Sequence, residues 1–263
     1  MQNLFKLEGK IALVTGGSRG IGEMIAEGFV ANGVRTYITA RKASACDATA
    51  ERLSALGECP GECLSLPGDL SSVEGAERLA AELRERESAL DILVNNAGAS
   101  WGQPLEEFPE EGWDKVMDIN VKSVFFLTKA LLPLLEKAAA ADDPARIINV
   151  GSVDGINVNQ LPNFAYGPSK AAVHHLTRTF AKHLAARQIT ANAIAPGPFP
   201  SKMMAATLDT FGEQIRAGVP LGRIGEPADM AGVAIYLASR AASYVTGAVI
   251  PVDGGLTGAA GTL

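Results

Sequence analysis

The sequence predicts an α/β protein: a doubly wound parallel sheet with helices on both faces, formed by one domain over residues 1–263. Three observations carry this. Short β-rich runs alternate with helical stretches along the whole chain, the pattern of βαβ units. Several of those runs are nearly all apolar, as expected of strands buried on both faces. No linker, low-complexity tract or internal repeat divides the chain, although its length alone would also permit two small domains.

The run 11–15 (IALVT) is the first strand, and 21–31 has helical periodicity ending near Gly33. Residues 36–40 (TYITA) read as strand and 43–56 as helix. A weak strand at 63–66 precedes a charged helix at 71–87, with Ser71 or Ser72 placed to cap an orphan backbone N–H. Residues 91–95 (DILVN) form a strand. A long helical stretch covers 113–137, and Pro133 should kink or shift it, because proline lacks the N–H of a helix interior. A strand at 146–150, a helix at 165–186 and a strand at 189–195 follow. Two helical stretches, 202–217 and 228–239, lead to a last strand at 248–252. In such sheets ligands lie beyond the carboxyl ends of the strands, so residues just after each strand are the candidates for function.

Composition narrows the classes. With 47% hydrophobic and 20% charged residues the chain can bury a sizeable core. A net charge of -6 argues against nucleic acid as the main partner, since phosphate binding wants a basic face. Residues 1–10 (MQNLFKLEGK) contain no apolar signal core, and no apolar run is long enough to span a bilayer, so a cytoplasmic location without a membrane partner is expected. Cys46, Cys59 and Cys63 do not suggest a disulfide framework. They and His174, His175 and His183 match no metal pattern; they read as free thiols and surface histidines, and no metal is expected.

After the first strand comes Thr15-Gly16-Gly17-Ser18-Arg19-Gly20-Ile21-Gly22. Glycines between a buried strand and a helix let backbone N–H groups approach a pyrophosphate, where the helix dipole favours an anion. The same letters contain a formal G-x-S-x-G, the nucleophile elbow of serine hydrolases, with Ser18 as nucleophile. That reading is weakened by the motif's place after the first strand, which leaves almost no chain to supply an oxyanion loop. At the end of the second strand, Thr39-Ala40-Arg41-Lys42 has no acid to hold a ribose 2′-OH and two cations suited to a 2′-phosphate. With Arg19 nearby, this favours NADP(H) over NAD(H).

Tyr166 and Lys170 are four apart in a helical segment and share a face. An ammonium beside a phenol should lower the phenol's pKa and let it exchange a proton with a carbonyl or alcohol oxygen. Ser152 follows a buried strand where its hydroxyl can meet the reacting oxygen. Asn95-Asn96-Ala97-Gly98 ends another strand with small and amide residues, and Asn120 is a polar amide in a helix that does not favour it.

Taken together these motifs resemble the short-chain dehydrogenase/reductase family over about residues 7–256. Residues 15–22 match its T-G-x-x-x-G-x-G, 95–98 its N-N-A-G, and Asn120, Ser152, Tyr166 and Lys170 its catalytic tetrad in order and spacing. The resemblance displaces the hydrolase reading and implies a Rossmann-like fold with seven parallel strands. Tyr166 would be the general acid in reduction, and Ser152 would orient the carbonyl. Lys170 would bind the nicotinamide ribose and tune Tyr166, while Asn120 would hold a water linking Lys170 to solvent. The implied cofactor contacts are Gly16, Ser18, Arg19, Gly20, Ile21, Gly22, Arg41, Asp69, Leu70, Asn96, Ala97, Gly98, Tyr166, Lys170, Pro196, Gly197 and Ser201. Ser201 stands where many relatives carry Thr, and Pro198 and Pro200 stiffen that loop.

The segment 199–211 (FPSKMMAATLDTF) would form an apolar, adaptable lid through Met203, Met204, Leu208 and Phe211, with Trp101, Val153, Val158 and Phe164 as further walls. The chain further resembles bacterial 3-oxoacyl reductases, above all the rhamnolipid-associated branch, so a small-molecule 3-oxoacyl thioester or similar β-keto compound is the expected substrate. The alternatives are a dehydrogenase of sugars, polyols or other small alcohols, or a non-catalytic NADP(H)-binding regulator, which should lack the Tyr–Lys pair. The family implies a homotetramer (or homodimer), pairing the helices at 113–137 and 165–186 across one two-fold axis and 228–239 with the last strand across another.

Overall fold

The computed structural model describes residues 3–56, 61–159 and 161–259. Seven strands form one parallel sheet: β1 (Ile11–Thr15), β2 (Arg35–Thr39), β3 (Glu62–Ser65), β4 (Ile92–Asn95), β5 (Ala145–Val150), β6 (Ile189–Pro196) and β7 (Val249–Val252). Their order is β3-β2-β1-β4-β5-β6-β7. The chain winds outward from β1 in one direction and then from β4 in the other. The switch point therefore lies between β1 and β4, where such sheets open a ligand crevice.

The helices are α1 (Gly20–Ala31), α2 (Ala43–Ser54), α3 (Val73–Arg86), α4 (Glu110–Met117), α5 (Ser123–Ala138), α6 (Tyr166–Leu184), α7 (Ala205–Gly218) and α8 (Pro227–Ala238). They cover both faces, and the strand residues divide accordingly. Val14, Ile38, Val94, Ile148 and Ile194 pack with Phe29, Leu53 and Leu237 on one side. Leu13, Tyr37, Leu93, Ile147 and Ala191 pack with Leu79, Leu131, Val173 and Phe180 on the other. Neither side of the central strands meets water, hence their uninterrupted apolar letters.

Ser72, of the two serines offered, is the N-cap of α3; its Oγ accepts from Gly75 N at 3.1 Å. The long helical stretch starts at Glu110, and its irregularity falls at a π turn, Asp118–Lys122, that contains Asn120. Pro133, the expected break point, lies inside α5, which runs through it as one element. Pro133 and Lys129, whose carbonyl loses the N–H of residue 133, are both on the exposed side, where water can satisfy that carbonyl.

At the amino ends of the strands, charges are paired, Arg146 buried and Lys10, Asp91 and Asp143 half-buried. Lys10 Nζ reaches Asp143 at 2.7 Å and Asp91 at 3.6 Å. The guanidinium of Arg146, 1% exposed, bonds Asp143 Oδ1 and the Ser239 carbonyl at 3.0 Å each, and the Pro144 carbonyl as well. Cys46 and Cys63 are buried free thiols; Cys59 lies outside the described residues.

Candidate active site

The expected site residues gather along the carboxyl ends of the sheet. Gly16 to Gly22 make the β1–α1 turn and the first turn of α1. Arg41 follows β2, Asp69 and Leu70 follow β3, and Asn96, Ala97 and Gly98 follow β4. Pro196 ends β6, and Gly197 and Ser201 come after it. Ser201 rests on the glycine turn: a Cβ on Gly20 would stand 3.3 Å from the Ser201 Cβ.

The crevice between β1 and β4 is stapled by polar contacts. Thr15 Oγ1 accepts from the backbone N–H of Asn96 and of Ala97, both at 2.9 Å. Asn96 Nδ2 donates back to the Thr15 carbonyl at 2.8 Å and the Gly16 carbonyl at 3.2 Å. Gly16 has φ +65°, and a Cβ there would stand 2.9 Å from Asn96 Nδ2; one on Gly22 would run into the same atom. These contacts hold the turn tight against β4 and leave a cradle of backbone that side chains would fill.

The residues present fit a 2′-phosphorylated dinucleotide. The cradle opens at a helix N-terminus, which favours a pyrophosphate. No acid follows β2, and Arg41 and Arg19 are both exposed, with no ion pair between them and any described carboxylate.

The tetrad residues converge beyond β4 and β5. Asn120, 1% exposed, accepts from Ala99 N at 2.8 Å and donates to the Ala99 carbonyl at 3.0 Å and to Ser169 Oγ at 2.9 Å. Its amide thus ties the π turn to the β4 loop and to α6. A Cβ on Gly98 would be 3.3 Å from Asn120 Oδ1 and 3.6 Å from Lys170 Nζ, so the three are neighbours. Ser152 caps the short turn Val153–Gly155, its Oγ accepting from Asp154 N at 3.1 Å, and its hydroxyl lies near enough to the Tyr166 phenol to favour the ionised form.

The electrostatics correct one expectation. Lys170 does not lower the Tyr166 pKa in this arrangement. Its Nζ donates to the Val150 carbonyl at 2.9 Å and stands 5.6 Å from the centre of the Tyr166 ring. Burial pushes the phenol up to about 12; the Ser152 hydrogen bond opposes the shift and the Asp154 charge adds to it. Burial also brings the Lys170 ammonium down to about 8, against the pull of Asp154. A phenol held protonated is in the state needed to give a proton to a carbonyl oxygen.

Asp154 and His174 escaped the sequence reading. Asp154 sits two residues past Ser152, and burial raises its pKa against an Asn159 hydrogen bond and the Lys170 charge. His174 is 4% exposed, not a surface histidine. Its signal was present: it follows Lys170 by one helical step of four and shares the face of Tyr166. Also unforeseen is a buried polar ladder in which Asn95 Nδ2 donates to Asn149 Oδ1 at 2.9 Å and Asn149 Nδ2 to Thr177 Oγ1 at 2.9 Å. It locks β4, β5 and α6 together just below the site.

Of the expected pocket walls, Val158, Phe164, Met203 and Phe211 are exposed apolar side chains on segments at this end of the sheet, and Leu161, which was not among them, is exposed there too. Phe199 is not part of a lid; it is 2% exposed and packs against Gly225. Gln103 N donates to the Pro162 carbonyl at 2.9 Å, and Phe108 meets Phe164 edge-on at 5.9 Å, tying the β4 loop to the β5 loop.

A phosphate-accepting crevice at the switch point, beside a protonated phenol, a serine hydroxyl and a buried ammonium, defines a nucleotide-dependent oxidoreductase. Comparison with known proteins agrees. Residues 16–257 match the family model described as enoyl-(acyl carrier protein) reductase, and the chain belongs to this short-chain dehydrogenase/reductase family. It is 54% identical to the rhamnolipids biosynthesis 3-oxoacyl-(acyl-carrier-protein) reductase of Pseudomonas aeruginosa, over 97% of this chain and 99% of that one. It is 38% identical to a galactitol 2-dehydrogenase (L-tagatose-forming) of Cereibacter sphaeroides, over 97% and 98%. Among solved structures, the Pseudomonas aeruginosa RhlG/NADP active-site complex matches with a TM-score of 0.93 and 53% identity, covering 98% of this chain and 100% of that chain.

Proposed function

We propose that this protein is an NADPH-dependent reductase that converts the keto group of a 3-oxoacyl thioester, or a related β-keto compound, to a secondary alcohol. The observation that carries the reaction is the buried, protonated Tyr166 phenol near the Ser152 hydroxyl and beside the buried Lys170 ammonium. NADPH, when bound, supplies the hydride. Tyr166 gives the proton to the carbonyl oxygen, and Ser152 Oγ holds that oxygen by a hydrogen bond. Lys170 places positive charge beside the developing oxyanion and faces the ribose side of the crevice. Asn120 fixes the π turn and the Gly98 backbone around Lys170 and holds a water that leads to solvent.

Gly16, Ser18, Gly20, Ile21 and Gly22 receive the pyrophosphate, and Arg41 with Arg19 holds the 2′-phosphate. Asp69 and Leu70 meet the adenine. Asn96, Ala97, Gly98, Pro196, Gly197 and Ser201 line the nicotinamide half. The exposed apolar groups at the site mouth suit an acyl chain better than a sugar. Residues 1–263 act as one domain in the cytoplasm, where the chain works as a homotetramer; none of the described helices is long and apolar enough to cross a membrane. The half-exposed Phe125, stacked on Phe180 at 6.1 Å, supports pairing through α5 and α6.

The test is NADPH oxidation with a 3-oxoacyl thioester, a sugar ketone, a steroid and an aromatic ketone, with NADH in parallel and Arg41→Ala beside the wild type. Selective turnover of the thioester with NADPH is expected. Removing a charge-assisted contact in Arg41→Ala should weaken NADPH by about tenfold or more and leave NADH nearly unchanged. Clear turnover of the sugar ketone without the thioester would overturn the substrate reading in favour of a polyol dehydrogenase, the activity of the Cereibacter relative.

A further inference from the structure

The turn that carries Ser152 is wrapped around one side chain. Gly151 and Gly155 flank Ser152, Val153 and Asp154, and both press on the imidazole of His174. A Cβ on Gly151 would collide with His174 Nε2 and stand 2.6 Å from its Cδ2; one on Gly155 would stand 2.8 Å from its Cε1, and as close to the α6 backbone, 2.7 Å from Lys170 C and 2.8 Å from Ala171 N. The turn is pinned at its start by Gly151 N, which donates to the Ile194 carbonyl at 2.7 Å, and closed by Gly155 N, which donates to the Ser152 carbonyl at 3.0 Å. Between those two bonds, the Gly151 end rests on the imidazole ring, presented by α6 one helical step beyond Lys170, and the Gly155 end rests on the ring together with the α6 backbone at Lys170 and Ala171.

His174 Nε2 is buried and has no hydrogen-bond partner. An aliphatic side chain would fill the space without an unsatisfied acceptor, so this polar group asks for a reason. Burial, followed by the neighbouring Lys170 charge, brings the ring down to about 4 and so keeps it neutral at ordinary pH. A flat, rigid, neutral ring permits the close approach of both glycines to its Nε2 edge without placing a second cation beside Lys170.

We propose that His174 is a positioning residue: by seating Gly151 and Gly155 on its ring it sets where Ser152 Oγ stands relative to Tyr166 and the substrate carbonyl. The inference rests on the reading of Ser152 and Tyr166 as the pair that meets that carbonyl. It predicts that the ring and the missing Cβ of Gly151 are complementary, so that each matters through the other.

The experiment is a steady-state comparison, on the folded holoenzyme, of His174→Ala, His174→Gln, Gly151→Ala and the double variant Gly151→Ala/His174→Ala, with Tyr166→Phe as control. Displacing Ser152 by a fraction of an ångström should lower kcat in His174→Ala by roughly ten- to a hundredfold, with the KM for NADPH unchanged. His174→Gln, which keeps part of the volume, should retain more of kcat. Gly151→Ala should lose at least as much as His174→Ala. The double variant, with room for the new Cβ, should recover about tenfold or more over Gly151→Ala alone. A kcat in His174→Ala within about twofold of wild type, or a double variant no better than Gly151→Ala, overturns the proposal. A loss of thermal stability with kcat intact would make His174 a filler. Should His174→Ala not fold, the same split between kcat and KM is required of His174→Gln, and its absence counts against the proposal. Retained turnover in Tyr166→Phe would instead overturn the reading of the site, whatever the His174 variants do.

Discussion

The two ends of the sheet treat buried charge in opposite ways. At the amino ends, Arg146 is 1% exposed, yet it meets a carboxylate and two carbonyls, while Lys10 bridges Asp143 and Asp91. At the carboxyl ends, Lys170 is 4% exposed, and its ammonium bonds one carbonyl, that of Val150. No carboxylate among the described residues forms an ion pair with it; Asp154 acts only at longer range. Paired charges hold segments in place, and their protons stay where they are. A buried titratable group with no ion pair has a proton affinity set by burial, and around Ser152 that holds for Lys170 at about 8, Tyr166 at about 12 and His174 at about 4. One end is built for stability and the other for proton transfer.

The sharpest way to break this contrast is to remove the proton. Tyr166→Phe keeps the ring and its packing, so folding and NADPH binding should be preserved. Turnover should fall by about a thousandfold, the scale of a lost general acid. A variant retaining more than a tenth of wild-type kcat, on a rough scale set by general acid catalysis, would mean another group supplies the proton. The counterpart at the other end is Asp143→Ala. It strands the Arg146 charge and leaves Lys10 only Asp91, and removing one member of a buried pair costs about 3 kcal/mol. Denaturant unfolding should show that loss, while the kcat of the remaining folded enzyme stays at the wild-type value. A fall in kcat without a fall in stability would erase the division between the two ends.

The fold was legible because its signals are local and redundant. The apolar strand letters follow from helices on both faces, and the alternation of Leu13 with Val14 into opposite layers needs no knowledge of distant contacts. Pro133 misled because proline's cost depends on whether water can reach the abandoned carbonyl, and sequence does not show which side of α5 is wet. The site residues were legible as types at the ends of strands, and the structure does bring Asn120, Ser152, Tyr166 and Lys170 together. Their electrostatics were not. A Tyr and a Lys four apart suggest a lowered phenol pKa. The direction of the real shift depends on desolvation and on where Nζ points, here to the Val150 carbonyl. Asp154 and His174 were invisible for a related reason. A lone Asp in a turn and a lone His on a helix acquire meaning only when the turn and the helix are packed together.

The smallest expected effect separates the two ends by pH. Folding lowers Lys170 from its ordinary 10.5 to about 8, because burial penalises the cation. Below about 8 both folded and unfolded chains hold the proton, and the native state bears the full cost of burying it. Between about 8 and 10.5 the native state binds fewer protons than the unfolded one, so this residue's contribution to stability rises with pH across that window. Tyr166, raised by burial to about 12, pulls the other way from its ordinary 10.0 upward, so the slope is read as a difference between two proteins. Lys170→Met replaces the cation with an apolar chain of similar length. It should be more stable than wild type at pH 7, with the advantage shrinking as pH rises from 8 to 10. Arg146→Met should show no such trend, because a guanidinium keeps its charge throughout that range. Parallel pH curves for wild type and Lys170→Met would place Lys170 with the paired charges and remove the basis for treating the carboxyl end as the adjustable one.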